Sequence, residues 1–274
     1  MDDYGLRGKT VVVTGGASGI GKATALGLAE RGAHVGIIDL REEDIAPFVG
    51  ELKALGVRAF GVAADVSDEV AMAKAADAVF AALGDVHGLV TCAGTAGNGK
   101  AEDFPISEWH RIMDVNVLGT FLACQLFGRA MIDRKQGSIV CIGSLAGMGA
   151  HAGRLAYSVS KFAVHGVVKG LALEWGRHNV RVNCIAPSII STPMAERALP
   201  QYFLDSIVDR TPAGRIGQAE DISAMVLMLL SDAAPYVNGV VLPVDGAVTA
   251  GYFTQRSGAD LQSKRLLEAG VYEN

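Results

Sequence analysis

Seven short apolar runs punctuate the chain: TVVVTG (10–15), HVGIID (34–39), RAFGVAAD (58–65), GLVTCAG (88–94), SIVCIGS (138–144), RVNCIAP (181–187) and VVLPVDG (240–246). They are nearly continuous in apolar character instead of alternating, which is the pattern of strands covered on both faces. Between them, apolar residues recur at three- and four-residue spacing, as in Ile20–Arg31, Glu69–Leu83 and Ser158–His178, and predict amphipathic helices. Such alternation implies parallel strands joined by right-handed crossovers. The expectation is one α/β domain over residues 1–250, a doubly wound seven-stranded parallel sheet with helices on both faces. No linker, repeat or low-complexity tract interrupts it. Residues 251–274 carry no strand pattern and one short helical stretch around Leu261–Ala269. This C-terminal extension either wraps over the domain or a neighbouring subunit or frays; wrapping is the expectation, because it would cover Tyr252 and Phe253.

At 274 residues, with 50% hydrophobic residues and 34 glycines, the chain can bury a sizeable core and make many tight turns. A net charge of −5 and the lack of a basic cluster weigh against nucleic acid as a partner. Cys92, Cys124, Cys141 and Cys184 are scattered, with no C-x-x-C pair, and read as buried thiols in a reducing compartment, not as a disulfide frame or a metal site. The N-terminal MDDYGLRGK has no apolar run to serve as a secretory signal. Apolar runs break well short of the roughly 18 residues of a membrane helix. A soluble cytoplasmic protein without a metal is expected.

The first run leads directly into TGGASGIGKATALGLAERG. Gly15, Gly19 and Gly21 fall where a strand must turn sharply into a helix, and glycine there allows positive φ and close approach to a diphosphate. The helix start, with Ser18, Gly19 and Ile20, offers N–H groups and a favourable dipole to an anion. A glycine-rich turn without a ligand is the plain alternative; the strand before it and the helix after it favour a dinucleotide. Asp39 closes the second run, where a carboxylate can accept hydrogen bonds from both adenosine ribose hydroxyls and repel a 2′-phosphate. NAD is therefore expected over NADP. Arg41 nearby complicates that expectation, and a helix N-cap is the alternative role for Asp39.

In an open parallel sheet, ligands sit outside the carboxyl ends of the strands. Ser144 is at such an end, in CIGSLAG, and Tyr157 and Lys161 follow in RLAYSVSKFAVHG, where an i,i+4 spacing puts both on one helix face. Asn116, in RIMDVNVLG, sits within a helical pattern that mildly disfavours it. The ordinary tyrosine pKa of about 10 is too high for a base at neutral pH. A nearby ammonium and an oxidised nicotinamide stabilise phenolate, each unit of lowering requiring about 1.4 kcal/mol. Serine can hydrogen-bond a substrate oxygen, and asparagine can hold a backbone group or a water. Each has a plain alternative: a turn cap for Ser144, a half-buried core ring for Tyr157, a solvated charge for Lys161. Their order behind a dinucleotide loop favours alcohol–ketone hydride transfer.

These motifs resemble those of the short-chain dehydrogenase/reductase superfamily, in its compact single-domain NAD-preferring branch, over residues 5 to 250. The resemblance implies a Rossmann fold and a catalytic tetrad of Asn116, Ser144, Tyr157 and Lys161. Tyr157 would be the acid–base, Ser144 would orient the substrate oxygen, Lys161 would tune Tyr157 and bind the nicotinamide ribose, and Asn116 would support a proton relay. TGGASGIG matches the cofactor glycines, Asp39 the NAD-selecting acid, and Asp65 with Val66 the pair that contacts adenine. TCAG brings Cys92, Ala93 and Gly94 to the cofactor, and IAPSIISTPM implicates Pro187, Ile190 and Thr192. Three positions depart from the family: Cys92 replaces an asparagine, Ser188 replaces a glycine and should stiffen its turn, and Gly143 stands where a second serine is often seen. A homotetramer, or a homodimer, is also implied. Val164, Val167, Val168 and Leu171 form an apolar stripe compatible with assembly or with intramolecular core.

The expected pocket wall comprises Ala96–Gly97, Leu145–Arg154 and Met194–Pro212, with AERALPQYFLDSIV as an amphipathic lid. His151 and Arg154 are its polar candidates. Arg154 could anchor an acid group, though a solvated surface arginine is the expected state. The expected function is NAD-dependent interconversion of a hydrophobic or cyclic secondary alcohol and its ketone; a sugar, a polyol or a 3-hydroxyacyl thioester stays open. Two alternatives are a 3-oxoacyl-carrier-protein reductase, against which Asp39 and the net acidity weigh, and a non-catalytic cofactor-binding regulator, against which the tetrad weighs.

Overall fold

The seven runs form strands β1 (Thr10–Thr14), β2 (His34–Asp39), β3 (Ala59–Ala63), β4 (Gly88–Thr91), β5 (Gly137–Ile142), β6 (Val180–Pro187) and β7 (Val241–Val244) in the computed structural model. It describes residues 3–251 apart from 194 and 196–198. The expected extension, with Tyr252, Phe253 and Leu261–Ala269, lies outside the described residues. Every strand pairing is parallel, in the order β3-β2-β1-β4-β5-β6-β7. The connecting helices are α1 (Gly19–Glu30), α2 (Glu42–Ala54), α3 (Glu69–Leu83), α4 (Ile106–Met113), α5 (Gly119–Arg134), α6 (Leu155–Trp175), α7 (Gln201–Arg210) and α8 (Ala219–Leu230). Winding reverses between β1 and β4, which opens a crevice at the carboxyl ends of the strands. The run 88–94 pairs only as far as Thr91, so Cys92, Ala93 and Gly94 leave the sheet at that crevice.

Each face of the sheet has its own core. On one face Val11, Val13, Val35 and Ile37 pack with Leu28 of α1, Phe48 of α2 and Val226 of α8. On the other Val12, Ile38, Leu89 and Ile139 pack with Val79 of α3, Phe127 of α5 and Val168 of α6. Successive residues of β1 thus point to opposite faces and both faces are dry, hence the unbroken apolar runs.

One open alternative is settled here and one expectation changes. Val164, Val168 and Leu171 are buried in the second core, and Val167 packs against it, so that stripe is intramolecular. Phe162 and Leu173 form the exposed side of α6 instead, at 47% and 85%. The segment Ile106–Arg134 is also one continuous helical run, joined through a π-helical turn at Asp114–Leu118. By length and hydropathy it could cross a bilayer, but half of its most apolar window is buried in the fold, where α5 packs against α3 and α6.

Candidate active site

The crevice is a cleft of about 1270 Å³, larger than the roughly 300–1,000 Å³ of pockets for drug-sized ligands. Its lining brings together Gly15, Ser18, Gly19, Ile20, Asp39, Asp65, Val66, Cys92, Ala93, Gly94, Ser144, Tyr157, Lys161, Pro187, Ile190 and Thr192. Gly21 and Asn116 lie behind this lining.

At the glycine loop, Gly15 and Gly19 take φ of +63° and +50°, values that an L side chain rarely adopts. A Cβ on Gly15 would sit 2.6 Å from the Ala93 nitrogen, so the loop rests directly on the end of β4. Gly21 differs from expectation: its φ is not positive, and it is needed for space, because a Cβ there would lie 2.1 Å from the Gly15 carbonyl oxygen. Ser18 caps α1 without a side-chain hydrogen bond, and no acidic residue sits in the first turn. The orphan N–H groups of that turn therefore keep their capacity for an anion, and the donor set fits a diphosphate. Thr192 closes over the loop, its methyl 3.2 Å from where a Gly19 Cβ would be, and its hydroxyl donates to the Ile190 carbonyl at 3.4 Å.

The next strand end presents Asp39. Its carboxylate accepts from the N–H groups of Ala17 at 2.9 Å and Leu40 at 2.7 Å, so it is fixed against the glycine loop. Arg41, not Asp39, is the N-cap of α2, and its guanidinium is ion-paired to Asp44. Asp65 accepts from the N–H and hydroxyl of Ser67 while lining the cleft beside Val66.

At the other end Ser144 leaves β5 and caps a short 3-10 turn, accepting from the Ala146 N–H at 3.1 Å. The turn-cap role is real, and it uses the hydroxyl as acceptor only, leaving its proton to donate. Tyr157 and Lys161 share one face of α6, with the Lys161 ammonium 5.8 Å from the Tyr157 ring centroid. Lys161 is 7% exposed and donates to the Ile142 carbonyl at 2.9 Å, so it is no solvated surface charge. Asn116 occupies the π-helical turn, which adds a residue to the helix and re-aims its side chain. Its Oδ1 accepts from the Thr95 N–H at 2.8 Å, and its Nδ2 donates to the Thr95 carbonyl and the Ser160 hydroxyl, both at 2.9 Å. Ser160 in turn donates to the Tyr157 carbonyl at 2.7 Å. A single buried carboxamide thus ties the loop after β4 to the helix that carries Tyr157.

The structure explains the departure at Gly143 and places those at Ser188 and Cys92. A Cβ on Gly143 would lie 2.4 Å from His165 Nε2 and 2.7 Å from Cys184 Sγ. His165 accordingly excludes a serine at 143, and its Nδ1 reaches the Gly147 carbonyl at 3.0 Å, holding the Ser144 turn from below. Ser188 does not take a positive φ, so glycine is not required there. Cys92 is half-buried, and burial pushes its thiol up to about 12, which keeps it protonated and unreactive.

The expected wall needs one revision. Ala96 and Gly97 do not line the cleft; Thr95, Asn98, Gly99, Lys100 and Arg111 do. Arg111 contacts the Thr95 hydroxyl and the Ala96 carbonyl while paired to Glu108. The sequence signalled that ion pair by its i,i+3 spacing but nothing of its place at the cleft. The segments 145–154 and 194–212 do contribute, through Leu145, His151, Arg154, Tyr202, Phe203 and Ile207 among others. Arg154 is half-buried and not a solvated surface arginine.

A family model described as enoyl-(acyl carrier protein) reductase matches residues 15–249. D-threitol dehydrogenase of Mycolicibacterium smegmatis is 38% identical over 247 residues, covering 90% of this chain and 95% of that protein. Among solved structures, a gluconate 5-dehydrogenase from Burkholderia cenocepacia in complex with NADP and tartrate superposes with a TM-score of 0.87 at 33% identity, covering 92% of this chain and 99% of that one. A 3-oxoacyl-[acyl-carrier protein] reductase from Brucella melitensis with bound NAD does so with a TM-score of 0.82 at 34% identity, covering 89% and 92%. With its seven-stranded Rossmann sheet and this cleft, the chain belongs to the short-chain dehydrogenase/reductase superfamily and is a nicotinamide-dependent oxidoreductase acting on a CH–OH group.

Proposed function

We propose that the chain interconverts a secondary alcohol and its ketone, preferring NAD, with Asn116, Ser144, Tyr157 and Lys161 as its working residues. The observation that carries this reading is the convergence of Ser144, Tyr157 and Lys161 in the same cleft as the uncapped glycine loop. Oxidised nicotinamide, when bound, supplies the hydride acceptor. Tyr157 takes the hydroxyl proton of the alcohol and returns it in the reverse direction. The free proton of Ser144 holds the substrate oxygen. Lys161, with one donor spent on Ile142, keeps others for the nicotinamide ribose, and its charge favours the phenolate. Asn116 is a positioning residue: it fixes Thr95, and through Ser160 the start of α6.

The loop from Gly15 to Ile20 would hold the diphosphate, with Gly21 making room for it. Asp39 would hold the adenosine ribose, Asp65 and Val66 the adenine, and Cys92, Ala93, Gly94, Pro187, Ile190 and Thr192 the nicotinamide end. The preference for NAD is supported by Asp39, held by two N–H groups, and by Arg41, whose charge is met by Asp44. An apolar body for the substrate is supported by Leu199, Tyr202, Phe203 and Ile207 along the cleft. We further propose a cytoplasmic homotetramer or homodimer, supported by the exposed Phe121 of α5 and Phe162 and Leu173 of α6.

A carrier-protein reductase is the second reading, favoured by the likeness to the Brucella enzyme. Nicotinamide absorbance, followed across secondary alcohols with NAD and NADP and across a 3-oxoacyl thioester with NADH and NADPH, separates the two. Turnover of free alcohols with NAD supports the first; turnover of the thioester alone, with NADPH, would replace it.

A further inference from the structure

We infer that the substrate carries an anionic group, a carboxylate or a phosphate, and that Arg154 is its anchor. This rests on the reading of the cleft as an alcohol–ketone site. The cations lining the cleft differ in how their charge is met. Arg41 is paired to Asp44, Arg111 to Glu108, and Lys161 donates to a backbone carbonyl. Arg154 is half-buried; its guanidinium has no ion pair and no hydrogen-bond acceptor among the described residues, and its Nε–H is enclosed without a partner. A guanidinium cannot shed its proton, so it has to find its anion elsewhere. A polar group left unmet in such a place calls for an explanation.

Position makes the anion a substrate group. The Arg154 Cζ stacks 4.6 Å from the centroid of the Tyr157 ring, which pins the cation beside the phenol. An anion on the cleft-facing edge of the guanidinium is then only a few bonds from the carbon whose hydroxyl meets Tyr157. Lys100 and Arg210 line the cleft as well and also have no ion pair among the described residues, but neither has an enclosed, unpartnered nitrogen as Arg154 does; the acidic residues of the lining, Asp39 and Asp65, belong to the cofactor end. His151, also in the lining, has its pKa lowered by burial and then by Arg154, so it offers a hydrogen bond but no competing charge. Phe203 and Ile207 receive the rest of the molecule. The class is a hydroxy acid or a hydroxyalkyl phosphate with an apolar body. A planar fork matches either head group through two parallel hydrogen bonds.

The test is binding of hexanoate, hexyl phosphate and hexanamide to the enzyme–NAD complex by isothermal titration. The proteins are the wild type, Arg154→Met, Arg154→Lys and Tyr157→Phe. At least one anion should bind the wild type about 10- to 100-fold more tightly than the amide, and the tighter of the two identifies the head group. That preference should vanish in Arg154→Met, persist in part in Arg154→Lys and survive Tyr157→Phe. Equal affinity for anions and amide in the wild type, no detectable binding of either anion, or a preference that survives Arg154→Met overturns the inference. A pH profile of turnover that moves in Arg154→Met without loss of anion preference also overturns it, and makes Arg154 a group that acts on Tyr157 alone. Binding needs no turnover. An anion preference in an enzyme that oxidises no secondary alcohol would sink the alcohol–ketone reading of the cleft and leave the anchor standing.

Discussion

Replacing Asn116 with alanine removes the carboxamide that joins the loop after β4 to α6. The side chain is 1% exposed, and it serves the N–H and the carbonyl of Thr95 and the hydroxyl of Ser160. Ser160 keeps its bond to the Tyr157 carbonyl, so its loss is small. The two Thr95 backbone groups are left without partners, at about 1–3 kcal/mol each. The sum is about 2–6 kcal/mol, which in a domain of this size lowers Tm by about 4 °C or more. Ser160→Ala removes one acceptor from an amide that still has Thr95, and should cost about 1 kcal/mol. Differential scanning calorimetry of both variants, with NAD titrations beside it, gives the order: Asn116→Ala far below Ser160→Ala in stability and weaker in NAD affinity. An Asn116→Ala protein that melts within a degree of wild type and binds NAD unchanged would refute the clamp.

Other outcomes follow from the same geometry. Gly143→Ser should destabilise by about 1–3 kcal/mol through overpacking on His165, and adding His165→Ala should restore part of the melting temperature; no recovery in the double variant would exonerate His165. Asp39→Ala should shift the NAD-to-NADP ratio of kcat/KM by about 10-fold or more towards NADP, while raising KM for NAD because the Ala17 N–H loses its acceptor; an unchanged ratio would remove Asp39 from cofactor choice. Cys92, with its thiol pushed up to about 12 by burial, exposes only about one thiolate in ten thousand at about pH 8. Iodoacetamide should therefore leave activity intact there and react faster only as pH climbs; rapid inactivation at neutral pH, traced to Cys92, would contradict the cause assigned.

The strands and the glycine-rich turn into α1 were legible because their causes are local. Strands buried on both faces must be apolar throughout, and a strand that turns sharply into a helix needs glycine at its tightest points. Even there one reason was hidden. Gly21 is needed to clear the Gly15 carbonyl, a contact made only once β1 and α1 are packed together. The π-helical turn at Asn116 was invisible because its sequence reads as ordinary helix; only packing against Thr95 and Ser160 shows what the extra residue does. The departure at Gly143 looked neutral in sequence and is explained by His165, a partner 22 positions away in the chain that the topology brings underneath. The α6 stripe stayed open between core and assembly for a related reason: a helix with apolar residues nearly all round does not announce which of them face the sheet. Arg154 was misjudged because the state of a charge depends on its neighbours, and here the neighbour is an aromatic ring and not a carboxylate.

The central claim is that Tyr157 exchanges the proton in alcohol oxidation. Tyr157→Phe removes one oxygen and keeps the ring on which Arg154 stacks. Nicotinamide absorbance with the best alcohol from the panel, together with NAD titration of the same protein, tests the claim most directly. Turnover should fall by about 10²-fold or more with NAD affinity close to wild type, whereas substantial turnover in Tyr157→Phe would contradict the assignment of the acid–base.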